Sequence, residues 1–538
     1  MATRPAATAA ALAAVSTVAL VWLAAGLPAG AFFSGDSGVK LIAALEAIEH
    51  PARPFEIDLP RVGTRATAFV DPMVVAHGGH AHALQSPLFP PLSAPIIATF
   101  GLRGAYVLPA LGFIALGLLL EVIRRHVIPD ASRLLLAGLA LAANPLLFYA
   151  LEYWEHAPAV ALLAGGTAAV AAARSGGSRL AVAGGALVGA GVLLRPEGLW
   201  YAAGLLLTLA RPHWLAFGSG AAFPLLAFGG ANLLHFGNPL GAHASAVLAP
   251  IGVGFGPARW NRVQEWLWPA SVLEGAGLLL VAAAWTPVPF ARELRTRQLT
   301  ALIGATVVAI LAAQGALPDR AFLQGFPVAL LAFVPAASVP ASARYLYSLA
   351  FAAIAGVVLT ATNDGGAQWG TRYLLIAAPP LLLLAARAAT DATGEGRWRA
   401  LRVAAVAVVC LAGAMTSRAG YLELRGTKRN YDRLVSATAS FTPPGGIVLT
   451  NAWWLDQVAA ALHGTRVFLF VPDAAAAARA LAALRAERID RVTLAWTPAG
   501  TSPFPLEPAL DGTCFRAIAT RDVALRGLRL TSARCAPE

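Results

Sequence analysis

Charge is scarce in this chain. Asp, Glu, Lys and Arg make up 13% of its residues, against roughly 25% in a soluble globular domain. A soluble core needs polar outer faces on its helices, so that class is excluded. Lysine is almost missing: of the 40 Lys and Arg residues, only Lys40 and Lys428 are lysine. Acidic residues number 28, which leaves a formal net charge of +12. In so apolar a chain, this arginine excess points to positive loops and to anionic lipid or phosphate rather than to nucleic acid. There are three cysteines, and their spacing matches no metal cluster. Cys410 falls in an apolar run and reads as an inert core residue. Cys514 and Cys535 lie in the polar C-terminal part, where a disulfide between them is open if that part is extracytoplasmic. A Walker loop, a Gly-x-Ser-x-Gly elbow, a zinc-protease helix and an internal repeat are all lacking.

Apolar residues are what the chain has in quantity: 58% of the total, with a mean hydropathy of +0.65. Runs near the roughly 20-residue spanning length recur, and about 13 are predicted as transmembrane helices. They include 8–31, 132–150, 322–339 and 401–417. The first is read as an uncleaved helix rather than a signal peptide, because many spans follow it. The fold class is an α-helical polytopic membrane protein with a small C-terminal α/β domain. Residues 1–417 form the transmembrane domain, with an outer loop, 32–103, that carries surface helices; residues 418–538 form an extracytoplasmic domain. With the N-terminus in the cytoplasm, Arg124-Arg125, Arg174, Arg211, Arg295 and Arg344 fall in inner loops, a positive-inside pattern. In the outer loop, Val39 to Ile48 has apolar residues at helical spacing. In the tail, 446–451, 466–471 and 491–496 read as strands, and 473–488 reads as a helix capped by Asp473.

Four polar clusters fall on the outward side. Asp36, in Gly35-Asp36-Ser37-Gly38, follows the first span; it reads either as a helix N-cap or as a catalytic carboxylate. The second is Glu152-Tyr153-Trp154-Glu155-His156. If this turn is helical, Glu152, Glu155 and His156 share a face; the plainer reading is an interfacial turn with Tyr153 and Trp154 as an aromatic belt. Third, Arg195 either pairs with Glu197 or holds a phosphate by bidentate bonds. Fourth, the turn 363–373 is rich in glycine, with Trp369, Arg372 and Tyr373 at its end and Arg372 where a helix starts, the end favoured by anions. His77, His80 and His82 offer imidazoles to a divalent metal, but their spacing matches no standard site. No metal ligand is assigned.

The order of these motifs resembles the bacterial members of the GT-C glycosyltransferase superfamily, multi-spanning enzymes that use polyprenyl-phosphate sugars. The resemblance rests on GDSGVK (35–40), SPLFPPLSAPIIATFG (86–101), YALEYWEH (149–156), LLRPEGLWYA (193–202) and GGAQWGTRYLL (365–375). It covers most of residues 1–390. It implies inverting transfer of a hexosyl or pentosyl group from a polyprenyl-phosphate donor to a glycan, lipid or protein hydroxyl. The place is the outer face of the cytoplasmic membrane, among membrane lipid. Asp36 would then be the general base, and Arg195 and Arg372 would stabilise the leaving phosphate. Glu152 or His156 would orient the sugar, with Glu155, Glu197, Trp369 and Tyr373 beside them. Lys40 would touch phosphate or pair with Asp36. The family's first loop often shows a second acidic residue; here Asp36 is followed by Ser37, which departs from a paired-carboxylate metal site. A divalent cofactor is open but rests on no standard motif. The rival classes are a transporter or flippase of a lipid-linked intermediate, which would show inverted repeats and mid-membrane charges, and a non-catalytic membrane scaffold.

Overall fold

A computed structural model describes residues 4–58, 61–62, 65–66, 74–77, 80–84, 87–208, 210–241, 257–286, 293–336, 340–361, 368–497, 505–523 and 527–535. The chain divides into two compact units. One comprises residues 1–24 and 108–423, the other 25–107 and 424–538.

Among the described residues, seven helices are long and apolar enough to cross a membrane, and five shorter apolar helices accompany them. Their outward faces are apolar too. The helix Trp214–Phe236 leaves Phe223, Leu226 and Leu234 exposed, Leu234 by 91%. Such a surface is tolerated in lipid and is a liability in water. The protein is therefore an α-helical, polytopic membrane protein.

The expected count of 13 spans is not reproduced. Of the expected span 322–339, the described part, 322–336, is not a spanning helix: Phe322–Gly325 is a single turn, and Pro327–Phe333 continues as a 3-10 helix. Pro327 lacks the N–H that an α-helical ladder would need there. The segment 132–150 is broken as well, into Arg133–Ala142 and Leu146–Ala150. The Asn144 side chain takes the N–H of Leu146 at 3.1 Å and donates to Ala140 O at 3.3 Å, just before Pro145. By contrast, 401–417 lies within one long helix, Arg399–Phe441.

Small residues let the helices of the larger unit approach closely. A Cβ on Gly185 would lie 2.0 Å from Phe217 O, and one on Gly220 would lie 2.1 Å from Val182 O. The helices Ser178–Leu194 and Trp214–Phe236 thus meet backbone to backbone.

The second unit is built on strands. Two short hairpins come first: β1 (Arg61–Val62) with β2 (Arg65–Ala66), and β3 (Val74–His77) with β4 (His80–Ala83). The main sheet holds β5 (Ile447–Thr450), β6 (Val467–Phe470), β7 (Arg491–Trp496), β8 (Phe515–Val523) and β9 (Leu528–Cys535). Its order is β6-β5-β7-β9-β8, parallel for the first three strands and antiparallel for the rest. Strand alternation sends side chains to opposite faces. Ile447, Leu449, Val492 and Leu494 pack with Ala477, Leu481 and Leu484 of the helix Ala474–Ala486. Val448 and Ala495 pack the other way, with Ala31, Tyr431, Leu434 and Trp454. The expected Asp473 cap is present, its carboxylate accepting from Ala476 N at 2.6 Å. Cys514 and Cys535 form a disulfide at a Cα separation of 4.8 Å, beside the Phe515–Cys535 pair that opens the β8–β9 ladder.

The first-loop helix, Gly35–Glu49, belongs to this unit. Its two glycines are contact points rather than hinges. A Cβ on Gly35 would lie 1.8 Å from Gln457 Oε1, and one on Gly38 would lie 1.6 Å from Gln457 O. The short helix Leu455–Val458 therefore presses its backbone against the GDSG turn. Gly38→Ala is expected to cost about 1–3 kcal/mol, the range for overpacking a tight contact. A thermal midpoint of the purified protein equal to that of the parent refutes the contact.

Candidate functional site

The polar clusters of the larger unit converge on Arg195. This residue ends the helix Ser178–Leu194 and precedes Pro196, so it stands where the helix stops. Its Nη1 donates to Glu155 Oε1 at 3.0 Å and its Nε to Glu197 Oε1 at 2.7 Å. The pairing with Glu197 is the plainer of the two readings from sequence; Glu155, 40 residues earlier, is the partner that spacing did not reveal. Burial pulls the guanidinium's pKa down, but the charges of Glu197 and Glu155 more than offset it, and the net shift is upward. Arg195 is a fixed cation.

Arg372 joins it through one ring. Both guanidinium carbons lie 5.4 Å from the centroid of Tyr373, and that of Arg372 lies 5.8 Å from Trp154. Cation–π contacts of this kind hold a charged group against an apolar wall. Arg372 opens the 3-10 helix Arg372–Ala377, as expected, with Gln368 Oε1 accepting its backbone N–H at 3.0 Å. The preceding Gly370 has φ +62, a left-handed conformation that suits glycine. A Cβ there would lie 3.1 Å from Gly325 Cα. The rest of the glycine-rich turn, 362–367, lies outside the described residues.

The second cluster differs from expectation. Glu152 and Glu155 sit in a turn, and the helix starts only at His156, so no helical face unites the three. They are nevertheless all buried. Tyr153 and Trp154 are fully buried as well, which rules out an exposed aromatic belt. The Trp154 ring instead stacks 5.2 Å from Tyr149, and His156 lies 4.8 Å from Tyr149. Tyr149 donates to Trp369 O at 3.0 Å. This ties the 149–156 turn to the 368–373 turn.

Glu155, Arg195, Glu197, Arg372, Tyr373, Trp369 and His156 thus belong to one connected network, and Glu152 lies buried in its turn. Asp36 and Lys40 are on the first-loop helix of the other unit. Ser34, not Asp36, is at that helix's N-cap position; Asp36 is half-buried in the first turn, and Lys40 is buried four residues on. Sequence reasoning missed Tyr149, although YALEYWEH contains it. It also missed Gly420, where a Cβ would lie 2.8 Å from Trp369 Nε1. One of three glycines in a long helix gives no signal of that contact.

A cluster of this kind can hold an anion against Arg372, whose guanidinium lies on aromatic walls, beside an Arg195 whose fork is bonded to Glu155 and Glu197. His80 and His82 are engaged elsewhere, His80 Nδ1 with Glu56 Oε2 at 2.9 Å and His82 Nδ1 with Phe55 O at 3.0 Å.

No family model and no curated protein matches the chain. Among solved structures, it is similar to ArnT from Cupriavidus metallidurans bound to undecaprenyl phosphate. The TM-score is 0.49 at 15% identity, over 100% of both chains. The apo state of that protein gives 0.46 at 15% identity, over 97% of this chain and 98% of that one. The oligosaccharyltransferase AglB from Archaeoglobus fulgidus, in complex with an inhibitory peptide and a dolichol-phosphate, gives 0.44 at 13% identity, over 90% of this chain and 69% of that one. With TM-scores under 0.5, these likenesses carry no argument about what this chain does.

Proposed function

We propose that this protein is a membrane glycosyltransferase. It moves a hexosyl or pentosyl group from a polyprenyl-phosphate donor to an acceptor hydroxyl on the outer face of the cytoplasmic membrane, with inversion. The observation that carries the reading is the buried pair Arg195 and Arg372, both set over the Tyr373 ring. A leaving lipid phosphate gains negative charge as the glycosidic bond breaks, and fixed donors aimed at that charge lower the barrier. The motifs that resemble the GT-C superfamily support the donor class. The acceptor oxygen attacks the anomeric carbon, the bond to the phosphate oxygen breaks with its electron pair, and the acceptor proton passes to Asp36. Glu152 or His156 orients the sugar. The positive-inside arginines and the Cys514–Cys535 disulfide support a cytoplasmic N-terminus and an extracytoplasmic C-terminal domain.

Purified protein supplied with a polyprenyl-phosphate sugar and a hydroxyl acceptor tests the reading. Arg372→Ala is expected to lower kcat by about 10²–10³-fold, the usual effect of losing one charge-stabilising donor. A protein that moves lipid across vesicles but transfers no sugar from any donor is a flippase, and the proposal fails.

A further inference from the structure

The end of the first-loop helix assembles groups that the proposed transfer does not use. Glu46 and His50 are four residues apart, a spacing that puts both side chains on one side of a helix. His50 is the C-cap, its backbone N–H bonded to Glu46 O at 2.7 Å. The chain then turns back, and Asp58 Oδ2 comes to 3.2 Å from His50 Nε2. One ligand-capable atom from each of Glu46, His50 and Asp58 lies within 4.8 Å of the others. A fourth group arrives from the C-terminal segment: His463, just after the 3-10 turn Ala460–Leu462, places its Nε2 2.7 Å from Glu46 Oε1. All four residues belong to one compact unit.

We propose that Glu46, His50 and Asp58 bind a divalent transition metal of the Zn²⁺ class, with His463 as the imidazole that orients the Glu46 carboxylate. One imidazole and two carboxylates, with water in the fourth position, are a donor set that zinc accepts in tetrahedral geometry. His50 Nε2 faces Asp58 Oδ2 at 3.2 Å, and a cation among the three ligands would take the place of that ion pair, while His463 keeps its hydrogen bond to Glu46. The outer support is in place. Arg53 Nη1 lies 3.5 Å from Asp58 Oδ1, so it engages the oxygen that His50 does not. The same guanidinium holds Glu56 at 3.3 Å, and His80 holds Glu56 at 2.9 Å. Hydrogen bonds of this type orient metal-binding carboxylates. Glu46 is 5% exposed, so one ligand is rooted in the packed interior while Asp58 remains open to solvent. The metal would clamp the end of the first-loop helix to the turn that carries Asp58, and His463 ties that cluster to the segment that leads into β6.

The full-length protein in detergent is stripped with EDTA, then titrated with Zn²⁺ and, separately, with Co²⁺. One Zn²⁺ per chain is expected, with a rise in thermal midpoint over the stripped protein. Co²⁺ is expected to give the visible absorption of a tetrahedral nitrogen–oxygen site. His463→Ala and Glu46→Gln are expected to weaken Zn²⁺ binding by at least about tenfold, while His77→Ala in the β3–β4 hairpin leaves it unchanged. Absence of the Co²⁺ spectrum from the parent protein overturns the site even if a variant fails to fold. So does Zn²⁺ binding of equal affinity in the parent and in His463→Ala. These readouts are independent of sugar transfer.

Discussion

Asp36→Asn is expected to lower sugar transfer by about 10²–10⁴-fold, the range for a general base. Asparagine keeps the size and shape of the side chain and removes only the capacity to take a proton. Ser34 stands at the N-cap position, so Asp36 lies inside the first turn rather than at the cap itself. Gly35 and Gly38 seat the helix against Gln457 whether residue 36 is acid or amide. Part of the loss is the attraction between a carboxylate and the helix N-terminus, about 0.3–1 kcal/mol. The thermal midpoint should fall far less than the activity does, with kcat reduced and KM near the parent value. Full transfer by the Asn variant would remove Asp36 from the mechanism. A midpoint that falls in parallel with activity would assign it to the fold instead.

Arg195→Met is expected to cost about 3–5 kcal/mol of stability, the penalty for orphaning a buried charge. Glu155 is fully buried, and its carboxylate lies 3.0 Å from the Arg195 guanidinium. Methionine approximates the volume of the stem but leaves Glu155 and Glu197 without the cation between them. Glu155→Gln on the Arg195→Met background should restore part of the loss, since it removes the orphaned charge. A double-mutant cycle in a detergent denaturation assay measures that coupling. Arg195→Lys should recover less than the charge alone suggests, because an ammonium lacks the fork that reaches two carboxylates at once. Single and double variants that unfold together with the parent would show that the ion pair contributes nothing.

What was legible in the sequence followed local physics. The first-loop helix, the strands β5, β6 and β7 and the Asp473 cap each depend on residues close in the chain. Arg195 with Glu197 was legible for the same reason. The contact from Glu155 to Arg195 was not, because it joins turns 40 residues apart. The bond from Tyr149 to Trp369 spans 220 residues. The hairpin β8–β9 was missed too: Phe515–Val523 carries Arg516, Arg521 and Asp522 and exposes most of its side chains, so no apolar alternation marks it as a strand. The opposite error came from hydropathy. Residues 322–339 are apolar enough for a span, yet the Gly325-Phe326-Pro327 break governs their conformation. Apolar content measures burial in lipid or protein alike and does not distinguish a spanning helix from a packed 3-10 segment.

Among the described residues, β8 lies at one margin of the sheet, with a row of backbone groups that no further described strand pairs. Such margins recruit strands from other molecules unless something prevents it. Here two devices act against polymerisation. The register shift between Ala517 and Ala519 twists the margin away from a flat template. Beyond it, Arg521 and Asp522 sit on the exposed strand, and the Asp522 carboxylate is held below its usual pKa by its hydrogen bond and ion pair with Arg529. A second copy docking there would have to strip water from these charges. The strand-built unit thus carries its own protection against fibrous self-association.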